Sequence, residues 1–333
     1  MALQSKYKIC LDIGGTKILG AIFDDDNKII YRLKKRTKAD SGSTQNVEDT
    51  IISVVDELIK DSGIDPKSIK AIAAGAPGVI NHETGVVIFA PNLPWRNYNI
   101  LKPIEARFGV PFYIGNDVNV GVLGEYKFGV AQGFDNVVGI FVGTGLGGGF
   151  ILDGKLYTGN LSKGGEIGHM ILNEEGPCCN CGQRGCLEAF SSKQGISEYI
   201  MMQVKHGRDC CMKDVVKNGT FRSKYLKSAL EEKDPVATEA VDRACHYLAI
   251  ATGNLINTFS PQIVVFGGGV IESCGDAFIE RITAQVDKYC MPSIRDSVVL
   301  KNASPHILYL TPFPIPSNFT TKKASSPKTS GTI

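Results

Sequence analysis

The sequence predicts a two-domain α/β protein, and three observations carry that reading. Strand-like and helix-like segments alternate along the chain. A strand, glycine turn, strand pattern occurs twice, about 130 residues apart, which points to an internal duplication. The 333 residues exceed what one small core accommodates.

The first strand runs from Tyr7 to Ile13 and ends in Asp12-Ile13-Gly14-Gly15-Thr16-Lys17. A second β-rich run, Ile18 to Phe23, follows directly, then an Asp/Asn turn and a third strand, Lys28 to Leu33. The Gly-Gly turn therefore joins two strands and opens no helix, unlike a Walker-type loop. Such a hairpin can still offer backbone N–H groups to phosphate, or be a plain tight turn. Apolar residues between Val47 and Ile59 fall at helical spacing, and Ser62-Gly63 ends that helix. Lys70 to Ala76 reads as a buried strand turned by Pro77-Gly78. Two prolines make Ala90–Trp95 a rigid extended loop, in which Asn92 is either a turn residue or a ligand to a hydroxyl.

Val110 to Ile114 is a short strand running into Gly115-Asn116-Asp117-Val118-Asn119 and a helix towards Phe128. Acids at a strand's carboxyl end sit where α/β folds place their chemistry. Asn116 suits a helix cap, which leaves Asp117 to face a cleft. Val137 to Val142 leads into the glycine turn Gly143-Thr144-Gly145-Leu146-Gly147-Gly148-Gly149 and a further strand, Phe150 to Leu152, repeating the opening pattern. An apolar central helix is predicted from Pro235 to about Asn257. The strand Ile263–Phe266 then enters a third glycine turn, Gly267-Gly268-Gly269, with a helix expected from Asp276 to about Tyr289.

The stretch from Glu166 to Glu188 places His169, Cys179, Cys181 and Cys186 close enough to bind one metal ion. Three thiolates and an imidazole form a tetrahedral set suited to zinc, with no open position for activating water. A structural Zn2+ is therefore expected, and a zinc hydrolase disfavoured. Cys178 beside Cys179 could replace it as a ligand.

The net charge of +2 and 43% apolar content give no sign of bulk nucleic-acid binding. Apolar runs are strand-sized, so no membrane span is expected. The start lacks a signal peptide's apolar core. Ten cysteines then point to a reducing, cytoplasmic setting.

Taken together, LDIGGTK (11–17), PNLPW (91–95), GNDVN (115–119), GTGLGGG (143–149), GEIGH (165–169), CNCGQRGCLE (179–188) and VFGGG (265–269) resemble the ROK family of sugar kinases and repressors. The likeness is greatest to its glucokinase-type kinases, and it covers about residues 7–290. It implies an actin-like (ribonuclease H-like) fold of two domains around a cleft. We expect domains at 1–117 and 118–304. The resemblance makes Asp117 the catalytic base and Asn92, Asn116, Glu166, His169 and Glu188 the sugar-binding set. His169 would serve both the metal and the sugar. Asp12 would approach Mg2+. Gly14, Gly15, Thr16 and Lys17 would form the first phosphate turn of an ATP site, and Gly143, Thr144 and Gly145 the second. Gly267, Gly268 and Gly269 would pack on the adenosine end. The implied reaction is phosphorylation of a hexose 6-hydroxyl, with glucose the first expectation. N-acetylmannosamine, N-acetylglucosamine, fructose and mannose are alternatives, as is a non-catalytic sugar-binding regulator. Repressors of the family carry a DNA-binding segment ahead of the first turn, for which the 11 residues before Asp12 leave no room. A homodimer is the expected assembly. Residues 305–333 depart from the family's closing apolar helix, and are expected to be a proline-broken, disordered tail that leaves an apolar groove uncovered.

Overall fold

The structure, a computed structural model of the chain, describes residues 6–216 and 221–304. The expectations for residues 305–333 lie outside the described residues.

Two sheets repeat one another. Strand β1 (Tyr7–Ile13) pairs antiparallel with β2 (Lys17–Phe23), which pairs antiparallel with β3 (Ile29–Arg36). Helix α1 (Thr44–Ser62) covers one face, held at its start by the Ser43 side chain and ended by Gly63 at φ 70°. Ile9, Leu11 and Ile13 of β1 pack into the same core as Val47, Ile51, Val54 and Leu58 of α1. Each such aliphatic contributes roughly 1.5–3 kcal/mol on burial, before chain entropy. Because strand side chains alternate, Asp12 falls on the opposite face from that core. Strand β4 (Ile69–Ala76) pairs parallel with β1. A small antiparallel flap follows, of β5 (Val79–Asn81), β6 (Val86–Phe89) and β7 (Arg96–Asn99). Helix α2 (Leu101–Phe108) leads to β8 (Phe112–Asn116), parallel to β4. The sheet order is β3-β2-β1-β4-β8.

Helix α3 (Asp117–Phe128) begins directly at the end of β8. The second sheet then repeats the pattern with β9 (Val137–Val142), β10 (Leu146–Leu152) and β11 (Lys155–Tyr157) as an antiparallel meander. Helices α4 (Leu187–Ser191), α5 (Lys193–Lys205), α6 (Ser223–Glu231) and α7 (Pro235–Phe259) follow. Strand β12 (Ile263–Gly267) pairs parallel with β9, and beyond α8 (Ile271–Val286) and α9 (Pro292–Arg295) comes β13 (Val299–Asn302), parallel to β12. The order β11-β10-β9-β12-β13 matches the first sheet strand for strand.

Three sequence expectations shift. Strand β10 begins at Leu146, inside the expected glycine turn, rather than at Phe150, because Leu146 to Gly149 pair with β9. The last helix begins at Ile271 rather than Asp276, with non-helical φ/ψ at Cys274. The third glycine turn feeds it at once, because Val270 N donates to Val142 O and Glu272 N to Gly268 O. The expected division after residue 117 falls one residue into α3. That helix packs on β4 and β8 of one sheet and on β9 and β10 of the other, so it is a seam between them. Val122 of α3 shares a core with Ala73, Val137 and Phe141. Among the described residues, no helix is long and apolar enough to cross a membrane.

Candidate active site

Three parallel strands, β8, β9 and β12, each deliver a predicted site segment at their carboxyl ends, and the β1–β2 hairpin delivers a fourth. This is where parallel α/β sheets open a crevice.

The first turn is closed by Gly14 N donating to Lys17 O at 2.9 Å, and braced by Thr37, whose N–H donates to Thr16 O and whose hydroxyl donates to Gly14 O. Asn92 lies against it: a Cβ on Gly15 would stand 2.6 Å from the Asn92 carbonyl oxygen. The PNLPW loop thus seats on the first turn only because residue 15 is glycine. Trp95 of that loop is fully buried and stacks on Tyr98, with ring centroids 6.1 Å apart. Asn92 itself is exposed.

Asn116 caps α3: its Oδ1 accepts from Val118 N at 3.0 Å and Asn119 N at 3.1 Å. Its Nδ2 donates to Gly78 O at 3.0 Å, so one amide hydrogen is left for a ligand. Asp117 follows, with Oδ1 accepting from Val118 N at 2.9 Å. Burial pushes its pKa up, the backbone N–H groups oppose the shift, and the Glu166 charge adds to it. Asp12 is pushed up to about 7, chiefly by burial and then by Asp117, with Lys17 opposing and Glu272 reinforcing. The carboxylates of the first sheet therefore sense those of the second across one cleft. This crowding of Asp12, Asp117 and Glu272 suits a divalent cation, whose charge would relieve it.

The second turn is closed by Gly143 N donating to Gly145 O at 2.9 Å. Its other backbone groups are held from outside. Lys193 N donates to Gly143 O at 3.0 Å and Gln194 N to Thr144 O at 3.4 Å, both from the start of α5. Leu146 N donates to Glu188 Oε2 at 2.9 Å. A Cβ on Gly145 would stand 2.5 Å from that same oxygen. Glu188, expected at the sugar, is thus also a support for the second glycine turn. The third turn, Gly267 to Gly269, lies alongside: Gly268 has φ 89° and approaches the Val142 backbone.

Glu166 precedes a short 3₁₀ turn, Ile167–His169, which His169 ends, and both are exposed. The candidate donor atoms of His169, Cys179, Cys181 and Cys186 all lie within 4.8 Å of one another. Cys179 Sγ is 3.7 Å from His169 Nδ1, and Cys181 Sγ is 3.6 Å from Cys186 Sγ. Zinc–sulfur bonds of about 2.3 Å at the tetrahedral angle put sulfurs about 3.8 Å apart, so the set fits that ion. Burial pushes the Cys179 thiol up to about 12, and ionising it as a ligand calls for a cation among the sulfurs. Nδ1 is the ring nitrogen turned to the thiols, which leaves Nε2 on the far side of the ring. Cys178 stands outside the cluster, exposed, with its sulfur accepting from Arg184 at 3.4 Å.

Two charged residues at the cleft carried no motif. Lys193 is half-buried, and burial together with the Lys17 charge lowers its pKa, while Glu272 opposes the shift. Glu272 opens α8 beside the third turn. Helix-start position beside a glycine turn was the available signal for both.

Known proteins share this arrangement. The ROK family profile matches residues 8–306. The chain is 33% identical over 287 residues to a glucokinase of Thermotoga maritima, covering 86% of this chain and 88% of that protein. It is 30% identical over 271 residues to the xylose repressor of Bacillus subtilis, covering 81% of this chain and 66% of that one. Its fold superposes on a ROK family glucokinase from Streptomyces griseus, solved in complex with glucose and AMPPNP, with a TM-score of 0.79 and 27% identity. The match covers 92% of this chain and 98% of that one. The actin-like architecture expected from the sequence is the fold of these relatives. This chain belongs to the ROK family.

Proposed function

We propose that the protein is an ATP-dependent glucokinase that transfers the γ-phosphoryl group to the 6-hydroxyl of glucose. The observation that carries the reading is Asp117, a carboxylate with raised proton affinity at the head of α3, near enough to Asp12 of the first hairpin and to Glu166 to feel their charges. The glucokinases among its relatives, one of them solved with glucose and a nucleotide analogue, support the sugar and the donor.

The chemistry follows from the residues. The backbone N–H groups of the turns at Gly14–Lys17 and Gly143–Gly145 offer donors to the phosphate chain. Lys17 and Lys193 add positive charge beside it. Mg2+ would further neutralise the phosphate oxygens, with Asp12 the carboxylate that would hold it. Asp117 accepts the proton of the attacking hydroxyl as the new O–P bond forms, and the β–γ bond breaks to leave ADP. Its raised pKa makes it the better acceptor. Asn92, Glu166, the free side of His169 and Glu188 offer donors and acceptors to the sugar's vicinal hydroxyls. A zinc ion held by His169, Cys179, Cys181 and Cys186 gives structural closure and no nucleophile.

Asp117→Asn is expected to lower kcat by 10²- to 10⁴-fold while leaving glucose affinity within a few-fold. Retention of more than about a tenth of kcat, roughly 1.4 kcal/mol of barrier, would remove Asp117 as the base. The relatives named xylose repressors favour one second reading, a sugar-binding regulator, which equilibrium sugar binding without turnover would identify.

A further inference from the structure

The second glycine turn is tied to the metal loop by two separate routes. One runs through Glu188, whose Oε2 accepts from Leu146 N at 2.9 Å. Glu188 follows the ligand Cys186 by two residues, in the first turn of α4, so its position is fixed by the metal site. The other route runs through Asn180, which sits between the ligands Cys179 and Cys181. Its Nδ2 donates to Gln194 Oε1 at 2.9 Å, and Gln194 N donates in turn to Thr144 O. Gln194 Nε2 also donates to Glu198 at 2.9 Å, which fixes the side chain along α5. Lys193 N completes the brace on Gly143 O. The first turn is closed nearer at hand, by Gly14 N donating to Lys17 O and by Thr37 N and its hydroxyl donating to Thr16 O and Gly14 O.

We infer that the metal loop sets the shape of the second phosphate turn through Glu188 and the Asn180–Gln194 pair, so that metal loading raises affinity for the nucleotide as well as for the sugar. The nucleotide half of this rests on the kinase reading above; the bracing does not. Asn180 and Gln194 are positioning residues, since they touch the turn's support rather than any reacting atom. The coupling is reciprocal, so a nucleotide in the turn would also slow loss of the metal.

The experiment uses the full chain, with metal content checked for every variant. Two readouts are taken: amide hydrogen exchange over residues 143–146, and equilibrium binding of MgADP in the absence of sugar. Asn180→Ala and Gln194→Ala are expected to keep the metal and glucose affinity. Each should speed exchange at 143–146 and weaken MgADP binding about fivefold, the size of one lost hydrogen bond. Glu188→Gln, whose amide oxygen still accepts from Leu146 N, should exchange like wild type at Leu146, whereas Glu188→Ala should not. Chelation of the metal should reproduce the faster exchange at 143–146 without speeding the amide of Gly14 in the first turn. Unchanged exchange at 143–146 in Asn180→Ala and after chelation would overturn the inference. Faster exchange in a protein whose wild type takes up no MgADP would uphold the brace and count against the kinase reading instead.

Discussion

The first two glycine turns look alike in sequence and are held by different means. The first closes on itself and on the adjoining strand's end, with Gly14 N donating to Lys17 O and the Gly14 and Thr16 carbonyls accepting from Thr37 just beyond β3. The second closes with one bond of its own and draws the rest from α4, α5 and, through them, the metal loop. A turn built from neighbours in the chain forms whenever its hairpin forms. A turn built from distant elements forms only when those elements are in place, so it can be lost while the fold survives.

The largest break in that symmetry should come from the metal. Cys181→Ser is expected to lose the ion and weaken glucose binding at least tenfold, and to speed amide exchange in the second turn alone. Loss of metal with normal glucose affinity would remove the scaffold role. Next come the paired glycine variants. In Gly15→Ala the new Cβ meets a backbone carbonyl, which cannot swing away, so a loss of about 1–3 kcal/mol of stability is expected. In Gly145→Ala it meets the end of a side chain, Glu188 Oε2, which can rotate. There stability should fall by less than about 1 kcal/mol, with the deficit appearing in the KM for ATP through the lost Leu146 bond. Thermal melts and kinetics of the two variants side by side check this, and the reverse ranking would contradict it.

The smallest effect concerns charge. Asp12 titrates near pH 7 in the Mg2+-free fold, against about 4 when unfolded. Its folded pKa is raised, so the folded state loses stability as pH rises from about 4 through 7. Asp12→Asn should therefore be more stable than wild type at pH 8 without Mg2+. The margin should shrink as pH falls through 7 and vanish below about 4. A margin that does not change with pH would sink this reading of the acid cluster.

Much of this site is legible in the sequence because its segments are local. A glycine pair between two short β-rich runs dictates a hairpin, and Asn116-Asp117 after a strand dictates a cap followed by a cleft-facing acid. The clustering of His169 with three cysteines was legible for the same reason, since the cysteines span eight residues. What stayed hidden is relational. The Glu188 bond to Leu146 crosses 42 positions and the Asn180–Gln194 bond crosses 14, and neither leaves a periodicity. Lys193 and Glu272 carry meaning only once α5 and α8 are seen to start beside the glycine turns. The flap strands β5, β6 and β7, of three or four residues each, are too short for alternation to register.

On the proposed reading this cleft phosphorylates glucose. The direct measurement is ADP release from Mg-ATP by the folded, metal-loaded protein with glucose, mannose, fructose, allose, N-acetylglucosamine and N-acetylmannosamine in turn. Turnover that requires sugar and is greatest with glucose is the expected result. ADP release that ignores the sugar, or silence with all six, would contradict it.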